Sequence, residues 1–209
     1  MYTDILDIII LLCEDENLNG KLYKDKFNDY CDFFDSVNDY DEFNKVNWGF
    51  FLAKISALIL DLTIDSSKIR RSKRKIVSEL FGIDKDKITG NYSSFINSKV
   101  DYEVFVDDFS YSAVVPKDKL NRLSIVWGNA NFQKLHDLEN LHNLKVVMGD
   151  VHFSDAINVE NFTNLEIVTG DVYLDDIDSV RILDNLSYLG GDIYIRGEVL
   201  NNSGKAKIR

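Results

Sequence analysis

Three histidines, two cysteines and a surplus of carboxylates are this chain's stock of residues able to do chemistry, and their spacing is poor for it. Counted from the glycine that opens each 21-residue unit described below, His136, His142 and His152 fall at repeat positions 9, 15 and 4, so no two would share a ladder. No Cys-x-x-Cys, His-Glu-x-x-His, phosphate-loop or dinucleotide glycine pattern occurs. Close carboxylates are expected in so acidic a chain without any catalytic role. The reading is therefore a non-enzymatic protein with no metal and no cofactor.

Two other constellations could bind rather than catalyse. The first is basic: Lys68, Arg70, Arg71, Lys73, Arg74 and Lys75 place six charges in eight residues, against −17 on the rest once they are removed from the net −11. On a helix, Ile69, Ile76 and Leu80 take one face and the arginines spread over the opposite one. Such a run reads either as a nucleic-acid patch or as a solvated face paired with nearby Asp and Glu. The second alternates polar with apolar residues: Asn129, Asn131, Gln133; Asp150, His152, Ser154; Asp171, Tyr173, Asp175; Asp192, Tyr194, Arg196. If each trio faces outward from a strand, stacking at about 4.8 Å per rung makes an acidic row beside an aromatic row. That surface suits a protein partner. It also reads as a solvated sheet face with cross-rung stacking, the aspartates being turn residues after glycine.

The elements that would position these rows come from a repeat. Gly128, Gly149, Gly170 and Gly191 are 21 residues apart. Each is followed by Asn or Asp and an alternating segment: Asn129 to Phe132, Asp150 to Phe153, Asp171 to Leu174, Asp192 to Ile195. Leu123, Leu144, Leu165 and Leu186 stand five residues before the glycines, the last three preceded by Asn143, Asn164 and Asn185. Apolar pairs come next, from Ile125/Val126 to Tyr188/Leu189. Such agreement at one period marks a solenoid, in which each unit buries its anchors only against its neighbours. The expected buried ladders are Ala130/Val151/Val172/Ile193, Phe132/Phe153/Leu174/Ile195, Leu144/Leu165/Leu186 and Leu141/Phe162/Leu183. The glycines are expected to turn the chain through positive φ, and the asparagine row to bond neighbouring backbone inside the turn. A degenerate first rung is expected over 107–127, with Asp107 in the glycine place. Val100 to Val106 reads as a capping strand.

The motif Asn164-Leu165-Glu-Ile-Val168-Thr-Gly170-Asp-Val172-Tyr-Leu174, with near copies over 143–153 and 185–195, resembles short bacterial leucine-rich repeats and the rungs of receptor L domains. The resemblance covers about residues 120–197. It implies a solenoid and leaves the partner open. The receptor domains' disulfides are missing, so no extracellular receptor role is implied.

Upstream the apolar period becomes 3.6. Ile5, Ile8, Ile9 and Leu12 form one stripe, Leu22, Phe27, Tyr30, Cys31 and Phe34 another, and 41–62 reads as a buried central helix. Asp65-Ser66 caps a fourth helix stopped by Gly82. The fold class expected is α+β: an N-terminal helical bundle over 1–85, joined through a connector and degenerate capping rung (86–127) to a short right-handed parallel β-solenoid (128–200) and a frayed tail (201–209). The bundle would cap the solenoid's open end.

Asp4 and Asp7 sit where a signal peptide needs basic residues. Lys54 and Asp61 interrupt and end the apolar stretch from Phe50, which is too short to span a membrane. Cys13 and Cys31 are too few for a disulfide framework. A soluble, cytoplasmic protein without membrane contact is expected. So acidic a chain is not a general DNA coat. The partner expected is a protein with a basic surface, nucleic acid bound through Lys68, Arg70, Arg71, Arg74 and Lys75 being the second choice. One proline among many Asn, Lys, Asp and Ile residues points to an AT-rich bacterial genome or its phage, and so to an inhibitor that blocks a basic nucleic-acid groove on its target.

Overall fold

The computed structural model describes residues 70, 73–75, 77, 78, 81–133, 135, 141–153, 164–174, 185–195 and 198–201. The helices expected over 1–69, the tail 202–209 and the site candidates Lys68, Arg71, Ser154, Asp175 and Arg196 lie outside these residues.

The repeat folds as a parallel β-solenoid of about three turns with a 21-residue period. Each rung supplies two short strands that meet at the glycine corner. The first sheet orders β1 (Ile88–Thr89), β2 (Val104–Phe105), β4 (Ile125–Val126), β6 (Val146–Val147), β8 (Ile167–Val168) and β10 (Tyr188–Leu189), all parallel. The second orders β3 (Phe109–Ser110), β5 (Ala130–Asn131), β7 (Val151–His152), β9 (Val172–Tyr173) and β11 (Ile193–Ile195) in parallel. β12 (Glu198–Asn201) folds back antiparallel on β11 and covers that edge.

The second sheet is the one the alternating segments announced. The first was not expected as a sheet, and its composition explains why. Ile125 and Val126 are both buried, as are Val146 with Val147, Ile167 with Val168 and Tyr188 with Leu189. A strand buried on both faces shows no polar alternation, so the apolar pairs carried no periodic signature. Strand pairing also reaches upstream of 128, to Ile88 in one sheet and Phe109 in the other. Val104–Phe105 belongs to the rung that carries Asp107, and pairs with Ile125–Val126 in register.

Between the sheets the described members of the expected ladders are buried: Ala130, Val151, Val172 and Ile193; Phe132, Phe153 and Leu174; Leu144, Leu165 and Leu186; and Leu141, whose expected partners Phe162 and Leu183 lie outside the described residues. Ile195 packs on this core while partly exposed. Phe109, Phe132 and Phe153 form an inner aromatic stack with centroids 5.7 and 5.5 Å apart. The upstream end of this core is plugged by α1 (Tyr92–Asn97), whose Asn91 cap accepts the Ser94 N–H at 2.9 Å. Phe95 meets Phe105 and Phe109 edge-on at 5.8 and 5.4 Å. A second short helix, α2 (Lys117–Leu120), delivers Leu120 to the core, and the Leu123 N–H closes its turn on the Leu120 carbonyl. Leu144 and Leu141 repeat that bond one rung on.

The corner glycines are needed for a reason other than the one their sequence suggested. Among the described glycines only Gly82 (φ 64°) stands well inside the left-handed region, where it ends the helix before it; Gly128, at 157°, is near extended, and Gly149, Gly170 and Gly191 have no positive φ. What excludes a side chain is the rung beneath. A Cβ on Gly149 would lie 2.6 Å from Asn129 Oδ1 and from the Gly128 carbonyl carbon. One on Gly170 would run into Asp150 Oδ1 and the Gly149 carbonyl carbon, the latter at 2.7 Å.

Candidate functional site: an acid and aromatic sheet face

Successive outward residues of the second sheet are in direct register: Asn131 opposite His152, His152 opposite Tyr173, Tyr173 opposite Tyr194. Parallel pairing in register forces their rings together. His152 lies flat on Tyr173 with centroids 4.2 Å apart, and Tyr173 on Tyr194 at 4.8 Å. The rings therefore stand as a stack whose faces are mostly spent on one another. Their edges, with the phenol oxygens, line the surface.

Beside this stack runs the residue that follows each glycine, and here the structure adds a bond the sequence did not reveal. Asp108 Oδ1 accepts the Asn129 N–H at 2.7 Å, and Asn129 Oδ1 accepts that of Asp150 at 2.8 Å. Asp150 Oδ1 then accepts the Asp171 N–H at 2.8 Å, and Asp171 Oδ1 that of Asp192 at 2.7 Å. Each acid or amide thus ties its rung to the next, and one oxygen of the carboxylates at Asp150 and Asp171 is committed to the fold. The other oxygen of Asp171 accepts the Tyr173 hydroxyl at 3.1 Å. Desolvation, then this bond and the charges of Asp171 and Asp150, push the Tyr173 phenol up to about 12. Tyr194 is raised as well, by desolvation and then by Asp171, Asp192 and Asp150.

Two residues of the asparagine row, Asn143 and Asn164, bond backbone as expected, but that of the preceding rung rather than of their own turn. Asn143 donates to the Asn121 carbonyl and Asn164 to that of His142. Two serines at equivalent positions three rungs apart do the same unannounced: Ser124 donates to the Glu103 carbonyl at 3.0 Å and Ser187 to that of Glu166 at 2.8 Å.

The described part of the basic run packs on the first rung and the corner above it. Arg70 Nε donates to Asp107 Oδ2 at 2.6 Å, and Arg74 Nη2 to the Lys85 carbonyl at 2.8 Å. Lys73, only 9% exposed, reaches the Trp127 carbonyl at 3.1 Å with its ammonium 5.7 Å from that indole's centre. Burial lowers its pKa, opposed by Asp107 and Asp108. Lys75 is half-buried. Asp107 was foreseen only as a missing glycine; its use as the acceptor for Arg70 left no mark in the repeat.

Among the described residues no group of His, Cys, Asp and Glu could hold a metal ion, and no helix is long and apolar enough to cross a membrane. Fold and face define a two-sheet parallel β-solenoid with an acid and aromatic row on its second sheet. No protein-family model, curated protein or solved structure matches the chain, so its likeness to leucine-rich repeats rests on the motif alone.

Proposed function

We propose that the protein is a non-enzymatic binding module, akin to leucine-rich-repeat solenoids, which docks the second sheet's outward face on a basic surface of a partner protein. The observation that carries this reading is the stack His152–Tyr173–Tyr194 standing beside Asp150, Asp171 and Asp192. The stack is rigid before any partner arrives, so little side-chain entropy is lost on docking. The carboxylates supply a field that speeds encounter with a cationic surface. Asn131 continues the face toward β3, and Asp175 and Arg196 are the expected third row. In its narrowest form the proposal is a bacterial or phage inhibitor that covers a nucleic-acid-binding groove on its target. The reading through the basic run has less support, because Arg70, Lys73 and Arg74 already spend donors on the chain itself.

The test is affinity capture from the native cell, with the retained protein identified and its binding remeasured. Tyr173→Ala with Tyr194→Ala is expected to weaken that binding by about 2 kcal/mol or more, while the protein remains folded by circular dichroism. Unchanged capture by the folded double variant defeats the proposal.

A further inference from the structure

The first sheet is buried on two faces, and one of them looks away from the solenoid's core. Val126, Val147, Val168 and Leu189 belong to the core between the sheets. Their strand neighbours Ile125, Val146, Ile167 and Tyr188 point the opposite way, because successive side chains of a strand alternate. Those outward residues are nonetheless at most 7% exposed, and Trp127 and Met148 beside them at most 3%. The second sheet differs: its outward row, from Asn131 to Tyr194, is polar and partly exposed. An apolar surface four rungs long is therefore kept from water by a layer outside the core. α1 and α2 send Phe95 and Leu120 inside. The basic segment meets the face at its upstream end, where the Arg70 side chain lies against Gly90 and Lys73 reaches Trp127.

We infer that the occupant of this face is the chain's own segment 48–62, so that the N-terminal half docks along the solenoid's flank rather than on its open end. Trp48 to Leu62 has the composition the face requires, Lys54 and Asp61 being its only charges. A helix apolar on every side must be buried on every side, and the outer face of the first sheet takes one of them. The length fits: fifteen residues of helix run about 22 Å, against about 14 Å for the three rung spacings from Ile125 to Tyr188. The chain path fits as well, because residues 63–69 join this segment to Arg70 at the face's upstream end. The tail 202–209 offers only Ala206 and Ile208 among Lys205, Lys207 and Arg209, too little to cover four rungs. The upstream end of the core is already closed by Phe95 of α1. This inference stands independently of the proposed function, because it concerns the other sheet and leaves the tyrosine stack free.

Met1 and Met148 are the chain's two methionines, and Met148 lies on the face in question, which permits a nearly isosteric probe. The full chain is produced with photo-methionine, irradiated while folded, and its joined peptides are identified by mass spectrometry. Beyond its own sheet and residues 70–81, Met148 is expected to join a peptide from 48–62 at the mass of a single chain. That product should be lost when the protein is irradiated in denaturant. A Met148 product with residues 1–47 or 202–209 in its place, a product at twice the mass, or none beyond the sheet and 70–81 overturns the inference. So does a 48–62 product that survives denaturant. The Tyr173→Ala, Tyr194→Ala protein should give the same product, which keeps this failure separate from that of the second sheet's face.

Discussion

Asp171 gives one carboxylate oxygen to the backbone of the next rung and the other to the Tyr173 hydroxyl. Its charge and its hydrogen bonds can be separated, and Asn129 already shows how: an amide holds the same ladder position and accepts the same kind of N–H. Asp171→Asn should therefore leave the melting temperature nearly unchanged while slowing association with a cationic partner and flattening its salt dependence. Asp171→Ala should cost about 1–3 kcal/mol, because the Asp192 N–H loses its acceptor. A denaturant titration of the two variants checks the contrast, and equal losses would show that charge rather than the bond matters. Tyr173 adds a pH signature. Its folded pKa is raised from 10.0 to about 12, so the native state binds more protons than the unfolded chain across that interval. The stability it contributes is whole below pH 10 and is lost as pH climbs toward 12. Tyr194 and Tyr188, also raised, act in the same direction. Lys73, lowered by burial, has the opposite slope below its ordinary 10.5. Phenolate absorbance should show late-titrating tyrosines in the native protein, and Tyr173→Phe should remove the one that titrates near 12. The positions of Asp171, Tyr173 and Tyr194 were legible from the 21-residue spacing. Their bonds were not, because the ladder bonds cross from one rung to the next and no sequence pattern reports which atom a carboxylate faces.

Strands β1 to β10 are two residues long, too short to hold themselves together, so each depends on the rungs beside it. Leu165 and Val172 were expected in the core from spacing alone, and both are fully buried. The first sheet was missed because a run apolar on both faces gives no period, and the corner glycines were assigned a left-handed role they do not have. The error has an experimental edge. If positive φ were the requirement, Asn would substitute well at Gly170. Because the constraint is the approach of Asp150 Oδ1 and the Gly149 backbone, any added side chain breaks the stacking. Gly170→Ala and Gly170→Asn should both destabilise by about 1–3 kcal/mol, measured by thermal or denaturant unfolding. Tolerance of Asn with intolerance of Ala would restore the dihedral explanation. Leu165→Ala, in the core beneath, should cost about 2–5 kcal/mol.

At the scale of the whole molecule, a chain whose rungs touch only their neighbours can be shortened by whole periods. Excising residues 149–169 joins Met148 to Gly170. It returns the chain to the same corner position, because Met148 and Thr169 are equivalent and each immediately precedes a corner glycine. β5 and β9 would then become direct neighbours, with Asn131 opposite Tyr173, as Asn131 now stands opposite His152. Ala130 would meet Val172, a contact of the same kind as Ala130 with Val151. The upstream plug formed by α1 and the edge strand β12 both remain, so neither end of the core is newly opened. The shortened protein is expected to fold cooperatively with a strand-rich spectrum, less stable by ~1–3 kcal/mol for the 21 residues removed. Excising 149–158 instead is out of register and moves Gly170 off its corner, leaving Leu165 and Val168 without their ladders; that protein should not fold. The in-register deletion also bears on function, since it removes His152 with Asp150 and keeps the Tyr173–Tyr194 pair with Asp171 and Asp192. If the tyrosines carry the contact, partner capture survives with modest weakening. If capture is abolished while the melt stays cooperative, the rung that carries Asp150 and His152 is where the partner sits.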